Sequence, residues 1–175
     1  MVWRLLDEGG IEKGYPRLII DSWPFDSNID DILTDGDGDS YVFKGDKYWL
    51  LNRDGELQKG YPWRINRGLI DMPDDIDAAF IYSEDDQPYM FKKDRYWPYS
   101  RFGMGRQWPK STKGIFKGEI PSKIDAALRF NDQSFLFVGT KYYKVNGFRM
   151  RISEGYPKSI GDQWFGCDGN SHHIK

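Results

Sequence analysis

The chain has 175 residues, a net charge of −2 and aromatic side chains at 17%, enough length for one domain whose core is built from rings rather than small aliphatics. That charge gives no reason to expect nucleic acid or an anionic membrane as a partner. No apolar run approaches the roughly 20 residues of a membrane span.

Met1-Val2-Trp3-Arg4-Leu5-Leu6 lacks the basic start and long apolar run of a signal peptide and reads as strand. The segment Val2 to Gly10 aligns with the second half of a unit that recurs later, Trp3 standing where Trp49, Trp97 and Tyr143 stand, and runs on to Gly14-Tyr15-Pro16. Three full units follow. Ile29-Asp30-Asp31-Ile32-Leu33 leads to Tyr41-Val42-Phe43-Lys44-Gly45-Asp46-Lys47-Tyr48-Trp49 and Gly60-Tyr61-Pro62. Ile76-Asp77-Ala78-Ala79-Phe80 leads to Tyr89-Met90-Phe91-Lys92-Lys93-Asp94-Arg95-Tyr96-Trp97 and Trp108-Pro109. Ile124-Asp125-Ala126-Ala127-Leu128 leads to Phe135 through Tyr143 and Gly155-Tyr156-Pro157. Asp30, Asp77 and Asp125 stand 47 and 48 residues apart, a spacing that marks a repeat architecture. The expected divisions are a back half-unit at 1–27, full units at 28–74, 75–122 and 123–167, and a tail at 168–175.

Each unit is expected to hold four short strands and a stub of helix. The first strand is apolar enough to be buried on both faces. Tight turns at Lys44-Gly45-Asp46, Lys92-Lys93-Asp94 and Val138-Gly139-Thr140 join the second strand to the third, and Asp54-Gly55 and Asn146-Gly147 are hairpin signals. The proline that follows is placed at the first helical position, where its missing N–H costs nothing. Ile19 and Trp23, Ile65 and Leu69, Thr112 and Phe116, and Ile160 and Trp164 are i,i+4 pairs that would lay each stub on its sheet. Such units bury both faces by stacking around an axis. The fold class is therefore all-β: a four-bladed β-propeller with its first blade incomplete at the N-terminus and a short helix after each blade. Small alanines at 78, 79, 126 and 127 suit the crowded axis, whereas Asp31 and Ile32 replace them in the first full unit, whose inner strand should sit slightly differently.

The combination of Asp-Ala-Ala-Phe, Tyr-x-Phe-Lys-Gly-Asp-x-Tyr-Trp and Gly-Tyr-Pro resembles the hemopexin-like repeat, over essentially the whole chain. The ending from Lys141 through Ser159-Ile160 to Cys167 looks like the C-terminal domain of matrix metalloproteinases. Vitronectin ends similarly, and its early segment resembles Leu6-Asp7-Glu8 followed by Gly14-Tyr15-Pro16, but the units here lack its long insertions. The resemblance implies a four-bladed propeller with an axial tunnel. It also implies a role for Cys167, the one cysteine. On its own that residue is either a free thiol or half of a disulfide; in secreted relatives a final cysteine bonds one entering the first blade, so the partner would lie outside this chain. The implied location is extracellular.

Hard cations take oxygen ligands. By resemblance, the carbonyls of Asp30, Asp77 and Asp125 would hold a structural calcium ion at one end of the tunnel, and those of Ile32, Ala79 and Ala127 would line a second ion site. The plainer alternative is that the aspartates only satisfy turns. Asp35-Gly36-Asp37-Gly38-Asp39-Ser40 has the alternating carboxylates of a calcium loop but lacks the glycine at its sixth place and a glutamate at its twelfth, where Asp46 stands, and it reads as a polar turn. His172 and His173 are the only histidines; adjacent and terminal, they cannot clamp both faces of a haem, so no haem is expected. No His-Glu-x-x-His occurs, so this chain carries no zinc peptidase motif, although it would fit as a fragment of a zinc metalloendopeptidase. Arg106, Lys110, Lys113 and Lys117 form a basic run that is either a solvated face or a partner-binding surface. The resemblance implies a non-catalytic module that recognises extracellular-matrix proteins such as collagen, and tissue inhibitors of metalloproteinases; the competing reading is an adhesive or carrier protein with no peptidase attached. Open blade edges would allow dimerisation.

Overall fold

Alternation of large apolar and polar residues about a left-handed turn makes hairpins, and the chain repeats the device three times. In the computed structural model, residues 4, 11–23, 25, 28–100, 102, 107–118, 123–147 and 149–165 are described. The first sheet is β1 (Asp31–Thr34), β2 (Ser40–Lys44), β3 (Lys47–Leu51) and β4 (Trp63–Arg64), antiparallel and in chain order. The second is β5 (Ala78–Ile81), β6 (Pro88–Lys92), β7 (Arg95–Pro98) and β8 (Lys110–Ser111). The third is β9 (Ala126–Phe130), β10 (Gln133–Val138), β11 (Lys141–Asn146) and β12 (Arg151–Ile152), with β13 (Lys158–Ser159) pairing at the other end of β11. The first strands of the three sheets gather about a common axis: β1 packs on β5, β5 on β9, and β1 also approaches β9. These are propeller blades.

Register is conserved from blade to blade. Asp31 faces Phe43, Ala78 faces Phe91 and Ala126 faces Phe137 across the first strand pair. The expected displacement of the first inner strand is therefore not seen in its pairing; what differs is where the Asp31 side chain goes.

The helical stubs are α1 (Ile19–Ser22), α2 (Ile65–Gly68), a 3-10 turn at Thr112–Gly114, and α3 (Ile160–Trp164). Their start is set by a hydrogen bond to the hairpin turn beside them. The amides of Ile65, Thr112 and Ile160 donate to the carbonyls of Asp46, Asp94 and Thr140 at 2.9, 2.9 and 3.0 Å. Proline does not occupy the first helical position, contrary to the expectation from its place in the unit. Pro16, Pro62, Pro109 and Pro157 each follow a cis peptide bond, and β4, β8 and β13 intervene before the helical residues begin. Each proline instead precedes the residues that close its sheet.

The i,i+4 pairs do pack as expected. Ile65 and Leu69 join Leu33 and Phe43 in the core between the first and second sheets, against Ala79 and Met90. Phe116 lies between the second and third, where Phe80 and Phe91 meet Ala127, Leu136 and Val145. On the other face of the first sheet, Ile19 and Phe25 cover Val42 and Leu51. α2 and the 3-10 turn thus fill the wedges between successive sheets, whereas Trp164 of α3 packs on the rings of its own third sheet.

Close packing of that wedge shows at Gly68, which ends α2. A methyl group there would overlap the Tyr48 hydroxyl and ring, and Tyr48 is held between Phe43 and Tyr61. Gly68→Ala is expected to destabilise the domain by about 1–3 kcal/mol through overpacking, read as a lower midpoint in urea with an unchanged slope.

Candidate functional site

The repeated aspartates are hairpin-turn acceptors. The amide of Gly45 donates to the Asp30 carboxylate at 2.7 Å, that of Lys93 to Asp77 at 2.5 Å, and that of Gly139 to Asp125 at 2.8 Å. Each donor has a positive φ, between 56° and 60°. A left-handed residue at a two-residue turn points its N–H back toward the start of the first strand, and a carboxylate there satisfies it. Asp30, Asp77 and Asp125 themselves donate their amides to the carbonyls of Phe43, Phe91 and Phe137. Lys123 lies between two of these aspartates, with its ammonium 3.3 Å from Asp125 and 3.9 Å from Asp77.

Deeper along the axis stands Asp31, which belongs to no motif. One carboxylate oxygen accepts from its neighbour Ile32 at 2.8 Å; the other accepts from the Ala79 amide at 2.5 Å and the Ala127 amide at 3.4 Å. One side chain therefore ties the inner strands of three sheets. Burial pushes this carboxyl up to about 8, with Asp30 adding to the shift, and the three amide donors pull in the opposite direction without overcoming it.

Calcium is the metal that the repeat pattern implies. The starts of the three inner strands do come together, but the carboxylates of Asp30, Asp77 and Asp125 are engaged by turn amides. An ion at that end would have to be held by main-chain oxygens, which fits the oxygen preference of calcium. No group of three or more His, Cys, Asp or Glu side chains among the described residues is arranged as a metal site. At the next level, the Ile32, Ala79 and Ala127 amides converge on the Asp31 side chain. The Asp35 loop is folded on itself: the amides of Asp37 and Asp39 both donate to the Asp35 carboxylate at 3.0 Å.

On the outside, the seam between the second and third sheets carries a groove of about 500 Å³, lined by Tyr89, Trp108, Pro98 and Ile115 together with the charged residues Glu84, Asp85 and Arg149. Arg149 also lines a neighbouring basic depression with Lys117, Arg151, Asn146 and Gly147. Backbone pairing builds that cluster. The Lys117 amide donates to the Arg149 carbonyl at 3.1 Å, and the Ile152 amide to the Lys117 carbonyl at 3.1 Å. Of the basic run read from sequence, Lys117 enters this cluster, Lys110 sits over the Trp108 ring 4.3 Å from its centroid, and Lys113 is exposed on the 3-10 turn. Arg106 and Cys167 lie outside the described residues, as do His172 and His173. Arg149 and Arg151 were not legible as partners of Lys117, because only the closing strand β12 brings them there.

A third surface is the far side of the third sheet. Leu33, Phe80 and Leu128 are equivalent in the three units; the first two are 5% and 2% exposed, the third 36%. Leu128, Phe137, Ile160, Trp164 and Phe165 line an apolar depression there.

The hemopexin family model matches residues 29–68 and 124–167. The chain is 30% identical to stromelysin-3 of Xenopus laevis over 99% of its own length and 36% of the relative's. It is 34% identical to neutrophil collagenase of Homo sapiens over 73% of its length and 26% of the relative's, and 43% identical to vitronectin of Oryctolagus cuniculus over 43% and 16%. It thus spans little more than a third of the longest-matched of these relatives. Among solved structures it resembles a hemopexin fold protein from cow pea, with a TM-score of 0.70 at 21% identity, over 85% of this chain and 77% of that one.

Three tyrosines, Tyr82 and Tyr89 at the groove and Tyr48 in the wedge beside α2, offer a pH-dependent readout. Tyr48, Tyr82 and Tyr89 are all held above the usual phenol range by burial first, with Tyr61 adding to Tyr48, and Glu84 and Asp85 bearing on Tyr82. For Tyr89 the hydrogen bond to Asp85 comes next after burial. A folded value above the unfolded one means that this contribution to stability is intact below the ordinary phenol value of about 10 and is lost as pH rises beyond it. Alkaline titration followed at the tyrosinate band is expected to show these three ionising together with loss of sheet circular dichroism; free ionisation of every tyrosine in a folded chain would contradict this.

Proposed function

From the premise that this chain is a domain of hemopexin-like repeats, we propose that it is a non-catalytic protein-recognition module of a secreted protein, acting as the substrate- and inhibitor-binding domain of a matrix metalloproteinase. The observation that carries the reading is the seam between the second and third sheets, where an aromatic groove runs through Arg149 into a basic depression. Ring faces and a proline offer stacking surface to an extended, proline-rich matrix chain, and the arginines and Lys117 offer charge to acidic side chains. Aromatic and arginine side chains are also the types that dominate binding energy in interfaces. Collagen and tissue inhibitors are the partners this reading names, extracellular matrix is the location, and Cys167 is half of a disulfide. Calcium, held by main-chain oxygens at the starts of β1, β5 and β9, is the structural ion. An open face on the third sheet is also suited to a second copy of the chain.

The alternative, an adhesive or carrier protein without a peptidase, is favoured by one observation: vitronectin gives the higher identity, 43%, though over only 77 residues. A His-Glu-x-x-His motif in the same polypeptide would select the peptidase reading.

Two measurements bear on the proposal. Binding to an immobilised triple-helical collagen peptide and to a tissue inhibitor is expected to weaken about tenfold or more in Trp108→Ala and in Arg149→Glu; unchanged affinity of both variants for both partners would remove the seam from consideration. Calcium added to chelator-treated protein is expected to raise the thermal midpoint in a saturable way, and magnesium to do so less, because it demands tighter octahedral geometry.

A further inference from the structure

The seam between the first and second sheets holds a cavity of about 180 Å³. Its floor is apolar and buried: Leu33, Phe43, Leu69 and Met90 belong to the core between these sheets. Its mouth is set by three half-buried polar residues, Asp35, Tyr41 and Tyr99. Comparison of the units explains the space. Shared register puts Leu33 where the second unit has Phe80, and Asp35 where it has Tyr82. In the second unit those two rings pack 6.0 Å apart, and the Tyr82 hydroxyl donates across the seam to the Gly147 carbonyl at 2.6 Å. The groove there reaches Tyr82 and Tyr89 but neither Phe80 nor Phe91. The first unit carries a smaller apolar residue and a carboxylate at these places, so its seam keeps a hollow with an acid at the rim.

The acid is held in place. Its Oδ1 accepts from the amides of Asp37 and Asp39, both at 3.0 Å, and among the described residues none donates to Oδ2. Burial first, and then the charge of Asp35 and the phenols of Tyr61 and Tyr99, hold the Tyr41 hydroxyl above the usual phenol range, so it stays neutral. Tyrosine rings and a carboxylate at one mouth attract a cation. An apolar cavity of about 150 Å³ takes a benzene molecule, so one six-membered ring fits the floor.

We infer that this cavity is a binding site for a small arylalkylamine, with the ring in the apolar floor and the ammonium at the mouth against Asp35 Oδ2, beside Tyr41 and Tyr99. An arylalkyl acid of the same size is refused, because it would set carboxylate against carboxylate. The site lies on a different seam from the aromatic groove and is independent of any matrix partner bound there.

Phenethylamine, 2-phenylethanol and 3-phenylpropionate share one ring and a short arm and differ in the charge of the head group. Titrated into the intact chain, and followed by calorimetry and by the methyl resonance of Met90, phenethylamine is expected to bind saturably and the other two about tenfold or more weakly. Asp35→Ser keeps an oxygen for the loop amides; it is expected to bring the amine down to the affinity of the alcohol and to leave the alcohol unchanged. Leu33→Phe supplies the ring found in the second unit and is expected to abolish phenethylamine binding. Equal affinity for the three ligands, or amine affinity unchanged by either substitution, would overturn the inference. So would the lack of a saturable shift at Met90 in the intact chain, a result that requires no variant to fold.

Discussion

A sheet with apolar residues on both faces needs two covers, and each sheet here is too small to supply its own. The first sheet turns Leu33 and Phe43 to one side and Val42 and Leu51 to the other, and both sets are buried. Stacking the units around an axis meets that need with one repeated joint: a helical stub fills the wedge, and the next inner strand presents a small residue. Ala79 and Ala127 play that part in successive joints. Everything else follows from keeping the joints alike, including the shared register of the inner hairpins and the aspartate that holds each turn.

Most of this architecture was legible in the sequence because it is periodic. Spacing of the Asp-Ala-Ala segments located the inner strands, and the four i,i+4 pairs located the stubs. The proline was misread because a local rule, its suitability for the start of a helix, was applied two residues early, where β4, β8 and β13 intervene before the helical residues. What lay beyond reading were the contacts between units. Asp31 looked like a defect in an alanine pattern; only the convergence of two other strands gives its carboxylate donors. Arg149 and Arg151 carry no signal in the sequence, and only the pairing of their segment with Lys117 brings them together.

Chemistry is divided by position. Along the axis, backbone groups and acids face one another in confined space, and they hold the blades together. On the outside, the seams leave surfaces of mixed character, aromatic in one stretch and basic in the next. A scaffold that puts its structural work at the centre leaves the periphery open to change, since substitution at Glu84 or Arg149 disturbs no inner strand. Core and periphery are in that sense separable, in a fold shared with proteins as different as stromelysin-3 and vitronectin.

The lone acid on the axis also bears on how such a molecule can diversify. Repeats born as copies could drift independently at most positions, but residues meeting at one point are subject to a joint quota. One unit places a buried acid there and its sisters keep alanine, so the copies have become unlike one another where they meet.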